Sequence, residues 1–168
     1  VSPILFLQGT KMTCCDSMMR DFAQTIVKVK DRHHLILLAE QILQHIPYQP
    51  ESTSVTTSAI DSFYAGQGVC QDHAHVFIAM CRALQLPARY VSGYLYDQNQ
   101  PHLASHAWAE VFVENEWYCF DISNQIFTPK SHIYVAIGRD YLDVAPVRGV
   151  REQGGIESMT SSVQVLAC

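Results

Sequence analysis

Two β-rich runs around a short polar turn constrain the fold of this 168-residue chain more than any other feature. The runs cover residues 105–113 and 116–121, and Glu114-Asn115 lies between them. Runs of this kind joined by two turn-forming residues predict an antiparallel hairpin. The chain is therefore expected to contain an antiparallel sheet, and the length of the turn decides which side chains share a face.

The register of this hairpin brings a histidine close to an aspartate. With a turn of two residues, Val113 pairs with Glu116 and, counting outward, Trp108 pairs with Asp121. His106 then lies diagonal to Asp121 on the same face, about 7–8 Å away at the backbone, within reach of an imidazole and a carboxylate. A loop longer or shorter by one residue would move Asp121 to the other face.

A cysteine upstream is placed like a nucleophile. Cys70 follows Gly68, and from Cys70 onward apolar residues recur at helical spacing until Pro87 ends the pattern; they include Ala74, Phe77, Cys81 and Leu84. A thiol at the start of a helix meets unpaired N–H groups and a partial positive charge, both of which favour its ionised form. Asp72 acts in the opposite direction, because a nearby carboxylate favours the neutral thiol.

These residues together predict a catalytic triad. A cysteine nucleophile needs a histidine to take its proton and an acid to fix the tautomer and orientation of that histidine. Cys70, His106 and Asp121 supply the three groups in that order along the chain. Each alone has an ordinary structural explanation, but their combination favours thiol chemistry.

Four motifs in this region resemble those of one protein family. They are Gly-Val-Cys-Gln-Asp-His-Ala-His at 68–75, Pro-Ala-Arg-Tyr-Val-Ser-Gly-Tyr at 87–94, Ser-His-Ala-Trp-Ala-Glu-Val at 105–111 and Phe-Asp-Ile-Ser-Asn at 120–124. Together they resemble the transglutaminase-like superfamily in its bacterial branch, from about Thr53 to Gly149. After the acid, this chain has Ile122-Ser123 where the family usually has Pro-Thr.

The resemblance implies an α+β, papain-like fold in which a helix bearing the cysteine packs on an antiparallel sheet bearing the histidine and the aspartate. It assigns the nucleophile to Cys70, the base to His106 and the orienting acid to Asp121. The implied reaction is acyl transfer from a peptide or protein amide through a thioester, without a cofactor. Bacterial relatives of this kind are often regarded as cysteine peptidases, so hydrolysis is favoured. The alternatives are a cross-linking or amine-transferring transglutaminase and a non-catalytic binding or scaffold module.

Three further residues are candidates for contacts with the substrate or the oxyanion. Tyr64 precedes the cysteine by six residues and carries a hydroxyl donor, Gln71 follows the cysteine directly, and Trp108 lies near His106 on the predicted face. For Trp108, a role as a core aromatic is an equally good interpretation.

The spacing of the histidines does not predict a metal site. His73 and His75 form a His-x-His pair, and His102 lies four residues before His106. Residues two apart on a helix point to different faces, so His73 and His75 do not readily share one ion. His33-His34 are expected in a solvated polar turn.

Composition limits the number of domains and the classes of partner that the chain can have. With 48% hydrophobic residues, the chain can bury one core, and residues 1–168 are expected to form a single domain. A net charge of -5 without a basic run argues against nucleic acid as a partner, and no apolar stretch approaches the roughly 18 residues that span a bilayer. The oligomeric state is left open.

Cysteine usage and the N-terminal residues bear on localisation. A domain of this size does not need disulfides, and Cys81 and Cys119 lie inside apolar patterns, so a reducing cytoplasm is expected. Residues 1–15 are interpreted as the end of a missing N-terminal β domain or the linker from it, with the motif-bearing core at about 53–149.

Further predicted elements are helices over 16–28, 35–46 and 53–64, and strands over 88–96, 133–137 and 163–167.

Overall fold

The computed structural model describes residues 1–99 and 104–145. Within these ranges the chain forms five α-helices and four β-strands. The helices are α1 (Ser17–Ile26), α2 (Arg32–His45), α3 (Ala59–Ala65), α4 (Cys70–Ala83) and α5 (Tyr141–Val144). The strands are β1 (Ala88–Leu95), β2 (His106–Val113), β3 (Glu116–Phe120) and β4 (His132–Gly138).

Side-chain caps fix where the first three helices begin. Asp16, Asp31 and Ser58 each accept a hydrogen bond from a backbone N–H of the first helical turn, which satisfies a donor that would otherwise lack a partner. The Asp31 cap starts α2 earlier than predicted. His33-His34 therefore lie in the first turn of α2, and the expected polar turn there is wrong; the Nδ1 atom of His34 lies 2.7 Å from Asp31 Oδ1.

The predicted helix over 53–64 is shorter in the structure. Helix α3 begins only at Ala59, and residues 53–58 form an irregular segment rich in serine and threonine. Hydroxyl side chains in this segment bond to one another and to nearby backbone, as between Ser54 and Thr56, and such bonds compete with helical ones. The helix ends at Gly66, whose φ of 70° is the left-handed conformation that glycine adopts without strain.

The four strands form an antiparallel sheet in the order β3-β2-β1-β4. The predicted hairpin register is confirmed, since Val113 pairs with Glu116 and Ala109 with Phe120. Glu114 and Asn115 have φ angles of 53° and 64°, as in a type I′ turn, whose twist matches the strands that it joins. The sheet pairing stops one residue short of Asp121, which instead bridges to Ile126 in a tight turn.

Helix α4 packs against one face of this sheet. The alternate β2 residues Ala107, Ala109 and Val111 share a buried core with the apolar residues of α4. The intervening β2 residue Trp108 lies on the opposite face in a second buried cluster with Val91 and Cys119. The helix that carries the cysteine thus lies directly on the strand that begins with the histidine.

A bulge between β1 and β4 sets the position of the last strand. Ser92 pairs with Ala136 but Gly93 pairs with Tyr134, so Val135 has no residue opposite it. A Cβ on Gly93 would lie 1.9 Å from the carbonyl oxygen of Ile133, so the close approach of the two strands requires glycine. This shift brings His132, the first residue of β4, opposite Leu95.

The N-terminal residues pack on the core. Short 3-10 helices cover Pro3–Phe6 and Lys11–Thr13, and Phe6, Met12 and Thr13 are buried. The buried Arg82 of α4 donates to the carbonyl of Phe6 and to the hydroxyl of Thr13. These bonds join the segment to α4, which lies within the motif-bearing core predicted at about 53–149.

Some sequence predictions fall outside the described residues. The predicted strand over 163–167, the end of the region that resembles the family, at 146–149, and His102 belong to this group. Among the residues that the structure does describe, no helix is both long enough and apolar enough to cross a bilayer.

Candidate active site

Cys70 is the first residue of α4 and is partly exposed. Asp72 shapes the approach to it, because its Oδ2 accepts the backbone N–H of Val69 at 2.8 Å and the hydroxyl of Thr53 also donates to this oxygen. A Cβ on Gly68 would lie 2.9 Å from the same oxygen, so glycine leaves room for this carboxylate. The thiol is thus held where the N–H groups of the first helical turn lack partners within the helix.

The structure brings His106 and Asp121 together. The Nε2 atom of His106 lies 2.9 Å from Oδ2 of Asp121, and the two side chains are 13% and 0% exposed. A proton on Nε2 makes this a hydrogen bond to the carboxylate, which leaves Nδ1 as the ring nitrogen able to receive a proton from Cys70. The thiol also interacts with the ring.

These contacts change the ionisation of both groups. Burial by itself would lower the pKa of His106, but hydrogen bonds with Asp121 and Cys70 outweigh it and raise the pKa to about 9. Burial alone would raise the pKa of Asp121, but the His106 hydrogen bond and charge outweigh it and hold this pKa below its ordinary value. The arrangement favours an ionised carboxylate beside an imidazolium.

Two residues that the sequence reasoning missed also bind Asp121. The Nε2 atom of His132 lies 2.9 Å from Asp121 Oδ2, and the side-chain amide of Asn124 donates to the same oxygen at 3.1 Å. The backbone N–H of Asn124 reaches Oδ1 at 3.3 Å. No spacing rule pointed to His132, because it stands eleven residues after the acid and reaches it only through the β4 bulge.

A further histidine ties the acid's turn to α4. The Ser123 hydroxyl donates to Nδ1 of His73 at 2.6 Å, and Nε2 of His73 donates to the carbonyl of Ile46 at 2.7 Å. The departure from the family pattern at Ile122-Ser123 thus retains a hydroxyl after the acid, and Ile122 is buried. His73 connects the helix that bears the thiol with the turn that bears the carboxylate.

The predicted candidate Trp108 lies behind the histidines. Its side chain is fully buried, and its ring centroid lies 5.7 Å from that of His106 and 4.8 Å from that of His132. Trp108 therefore supports the two imidazole rings from within the core, as in the core-aromatic interpretation.

The side chains of Gln71 and Tyr64 form hydrogen bonds with residues outside the predicted triad. The side-chain amide of Gln71 donates to the carbonyl of Val55, which ties the irregular segment to the start of α4. Tyr64 is exposed, and its hydroxyl proton is donated to Asp16. The structure does not bring the Tyr64 hydroxyl to the three triad residues, and an oxyanion role for either side chain stays a prediction.

The remaining histidine of the His-x-His pair points elsewhere. His75 is buried, and its Nε2 accepts the backbone N–H of Tyr141, whereas His73 binds Ser123 and Ile46. In the described residues, no group of three or more histidine, cysteine or acidic side chains could hold a metal ion.

A cavity of about 500 Å³ opens beside the acid end of this site. Its walls include Leu95, Tyr96, Ile126, Lys130 and His132. The cavity therefore borders the Asp121 network through His132.

Comparisons with known proteins place these features in a family. The transglutaminase-like superfamily model matches residues 20–122. The uncharacterised protein ML0607 of Mycobacterium leprae is 30% identical over 166 residues, which is 95% of this chain and 59% of that protein. This chain therefore spans less than two thirds of that relative's length.

Two solved structures share the fold of this chain. A proposed cysteine protease from Cytophaga hutchinsonii is similar to this chain with a TM-score of 0.73 and 32% identity, over 84% of this chain and 48% of that protein. The periplasmic domain of Pseudomonas aeruginosa TgpA, in complex with ethylmercury, shares the fold at a TM-score of 0.55 and 22% identity, over 74% and 49% of the two chains. The expected papain-like α+β fold is confirmed. By its motifs, its fold and the match to the family model, the chain belongs to the transglutaminase-like superfamily.

Proposed function

We propose that this chain catalyses thiol-dependent acyl transfer on amide or peptide carbonyls, with Cys70 as nucleophile, His106 as acid and base, Asp121 as orienting acid and water as the final acceptor. The observation that carries the proposal is one set of contacts. Nε2 of His106 lies 2.9 Å from a fully buried carboxylate, and the thiol at the start of α4 raises the pKa of the same ring.

Each group has a step that suits its position. Transfer of the Cys70 proton to Nδ1 of His106 gives a thiolate that attacks the carbonyl carbon. The N–H groups at the start of α4, which lack partners within the helix, are the donors we assign to the oxyanion. His106 then returns the proton to the departing amine as the C–N bond breaks, which leaves a thioester on Cys70.

Release of the acyl group uses the same histidine in reverse. His106 accepts a proton from water, which attacks the thioester and regenerates the thiol. A primary amine in place of water would give transamidation. We favour water because the similar Cytophaga protein, at 32% identity, is described as a proposed cysteine protease.

We further propose a class of substrate and a cellular location. The substrate is a peptide or protein that carries an amide, bound without a cofactor, nucleic acid or membrane. The five cysteines in the described part of the chain are free thiols, which suits a reducing cytoplasm. Fractionation of the native cells, with a periplasmic marker as reference, tests the location.

The test of the catalytic proposal is the rate of iodoacetamide alkylation of each cysteine against pH, read by peptide mass spectrometry. Near pH 7 we expect Cys70 to react at least about tenfold faster than Cys15 and Cys119, because burial raises the pKa of Cys15 to about 11 and that of Cys119 to about 12. His106→Ala should remove most of this advantage, and His33→Ala, which changes an exposed histidine of α2, should not.

Product analysis separates hydrolysis from transfer. With a peptide substrate, hydrolysis releases a carboxylate, while a labelled primary amine becomes incorporated if transamidation dominates. Cys70→Ser should abolish either product. Equal alkylation of Cys70 and Cys15 in the parent, unaffected by His106→Ala, would contradict the proposal and favour a binding module.

A further inference from the structure

Two histidines share one carboxylate oxygen in the site. Nε2 of His106 and Nε2 of His132 each lie 2.9 Å from Oδ2 of Asp121. The triad assigned above uses only the first of these contacts. His132 comes from β4, at the opposite end of the sheet order from the hairpin strand that precedes Asp121.

The surroundings of His132 fix its tautomer and its orientation. The backbone N–H of Lys130 donates to Nδ1 of His132 at 3.3 Å, so Nδ1 is the acceptor nitrogen and Nε2 carries the proton. The side chain is fully buried, and its ring stands edge-on against Trp108 at a centroid distance of 4.8 Å. His132 is therefore a buried N–H donor to Asp121.

The two carboxylate oxygens of Asp121 are used unequally. Oδ2 faces His106, His132 and the amide of Asn124, while Oδ1 has a 3.3 Å bond from the backbone of Asn124. An N–H donor at Oδ2 stabilises the negative charge there. It also places the positive end of its dipole toward the neighbouring ring, which disfavours a second positive charge on that ring.

We propose that His132 is a positioning residue for the triad: by donating to the oxygen that binds His106, it fixes the orientation of Asp121 and divides the charge of that oxygen between two rings. This inference rests on the proposed function, since it takes Asp121 as the orienting acid of His106. Its consequence is that His132 limits how strongly Asp121 increases the basicity of His106. An acid and base group works best with a pKa near the working pH, so such a limit favours proton return to the leaving amine.

The charged and titratable groups around His106 come from three parts of the fold. Helix α4 contributes Cys70 and His73, the turn after β3 contributes Asp121, and β4 contributes His132. A substitution at His132 leaves the other three in place. Their contributions are therefore common to the parent and the variants.

The test is nitrogen NMR of the histidine rings in the whole chain across pH, without substrate. In the parent we expect His132 in the Nε2–H tautomer and His106 titrating near 9. His132→Leu removes the donor at similar volume and should raise the pKa of His106 by at least about half a unit. His132→Gln places an amide N–H near the position of Nε2 and should keep the His106 titration within about 0.2 units of the parent.

Different outcomes separate this inference from the proposed function. An Nδ1–H tautomer of His132 in the parent would overturn the inference even if His132→Leu fails to fold. So would an unchanged His106 titration in a folded His132→Leu variant, or equal shifts in the Leu and Gln variants. Repeating the titrations with Cys70→Ala removes the thiol. A His132 effect that persists there supports the inference whether or not Cys70 proves to be a nucleophile.

Discussion

The same helix carries two cysteines with opposite surroundings. Cys70 begins α4 and is partly exposed beside His106, while Cys81 lies eleven residues later and is fully buried in the core. Eleven residues are close to three turns, so the two thiols lie on nearly the same side of the helix. Burial raises the pKa of the Cys81 thiol far above its ordinary value.

The difference shows that position along the helix, and not the helix face, decides what a thiol can do here. At residue 81 the N–H groups are bonded within α4 and apolar side chains cover the sulfur. At residue 70 the first-turn N–H groups have no partners within the helix. His106, at the start of β2, and Asp121, in the turn after β3, lie near this end of α4. The helix start supplies N–H donors near the thiol, and the sheet supplies the histidine that we propose as the base.

Replacement of Asp121 tests how much the residues brought by the sheet contribute to the reactivity of Cys70. Asp121→Asn keeps the shape but loses the charge that stabilises an imidazolium at His106, so we expect the hydrolysis rate per folded molecule to fall about 10²- to 10⁴-fold. Peptide hydrolysis against pH measures it, with circular dichroism to confirm folding. Asp21→Asn makes the same charge change on an exposed residue of α1 and serves as the matched control.

A small effect would change the interpretation. If Asp121→Asn retains the activity of Asp21→Asn, the charge of Asp121 does not contribute to the activation of Cys70, which then depends on the helix N-terminus and His106.

The contact between His106 and Asp121 and the place of Cys70 at a helix start followed from the sequence, because both depend on local patterns. The two-residue turn fixed the β2-β3 register, and that register fixed the approach of His106 to Asp121. The helical spacing after Cys70 placed the thiol at a helix start. Each step used only neighbours along the chain, where periodicity and turn chemistry are reliable guides.

The support around the triad did not follow from the sequence because it depends on tertiary contacts. His132 reaches Asp121 through the bulge at Gly93, and no pattern in β4 signals such an irregularity. His73 was placed on the correct helix, but its partners Ile46 and Ser123 are distant in sequence. The polar pair His33-His34 suggests a solvated turn, whereas the Asp31 cap extends α2 to include both residues in its first turn.

Burial of His75 in α4 should make the free energy of unfolding depend on pH. Burial lowers the pKa of His75 to about 4, with Asp140 opposing this effect. The unfolded chain, with an ordinary histidine pKa near 6.5, binds a proton between these values and the folded chain does not. The free energy of unfolding should therefore fall as the pH drops from about 6.5 to 4, by an amount on the order of 3 kcal/mol from this group.

Urea unfolding at a series of pH values measures this loss. His75→Gln removes the titrating group while leaving an acceptor for the Tyr141 N–H, so its stability should fall less steeply over the same interval. His33→Gln, at an exposed position of α2, should follow the parent. Parallel curves for the parent and His75→Gln would show that His75 gains a proton without unfolding, and the interior of α4 would then be more accessible than its burial indicates.

The smallest expected effect is the change in the free energy of unfolding when either thiol of α4 is replaced by alanine. Cys81→Ala leaves a small void in the core and should lower the free energy of unfolding by about 1 to 2 kcal/mol. Cys70→Ala, at a partly exposed site, should change it by less than about 0.5 kcal/mol. Urea unfolding at pH 7 gives both values, and alkylation of Cys70 in Cys81→Ala should match the parent. A slower reaction of Cys70 in that variant would mean that core packing three turns away helps to hold the thiol in place, and the two ends of α4 would then be coupled.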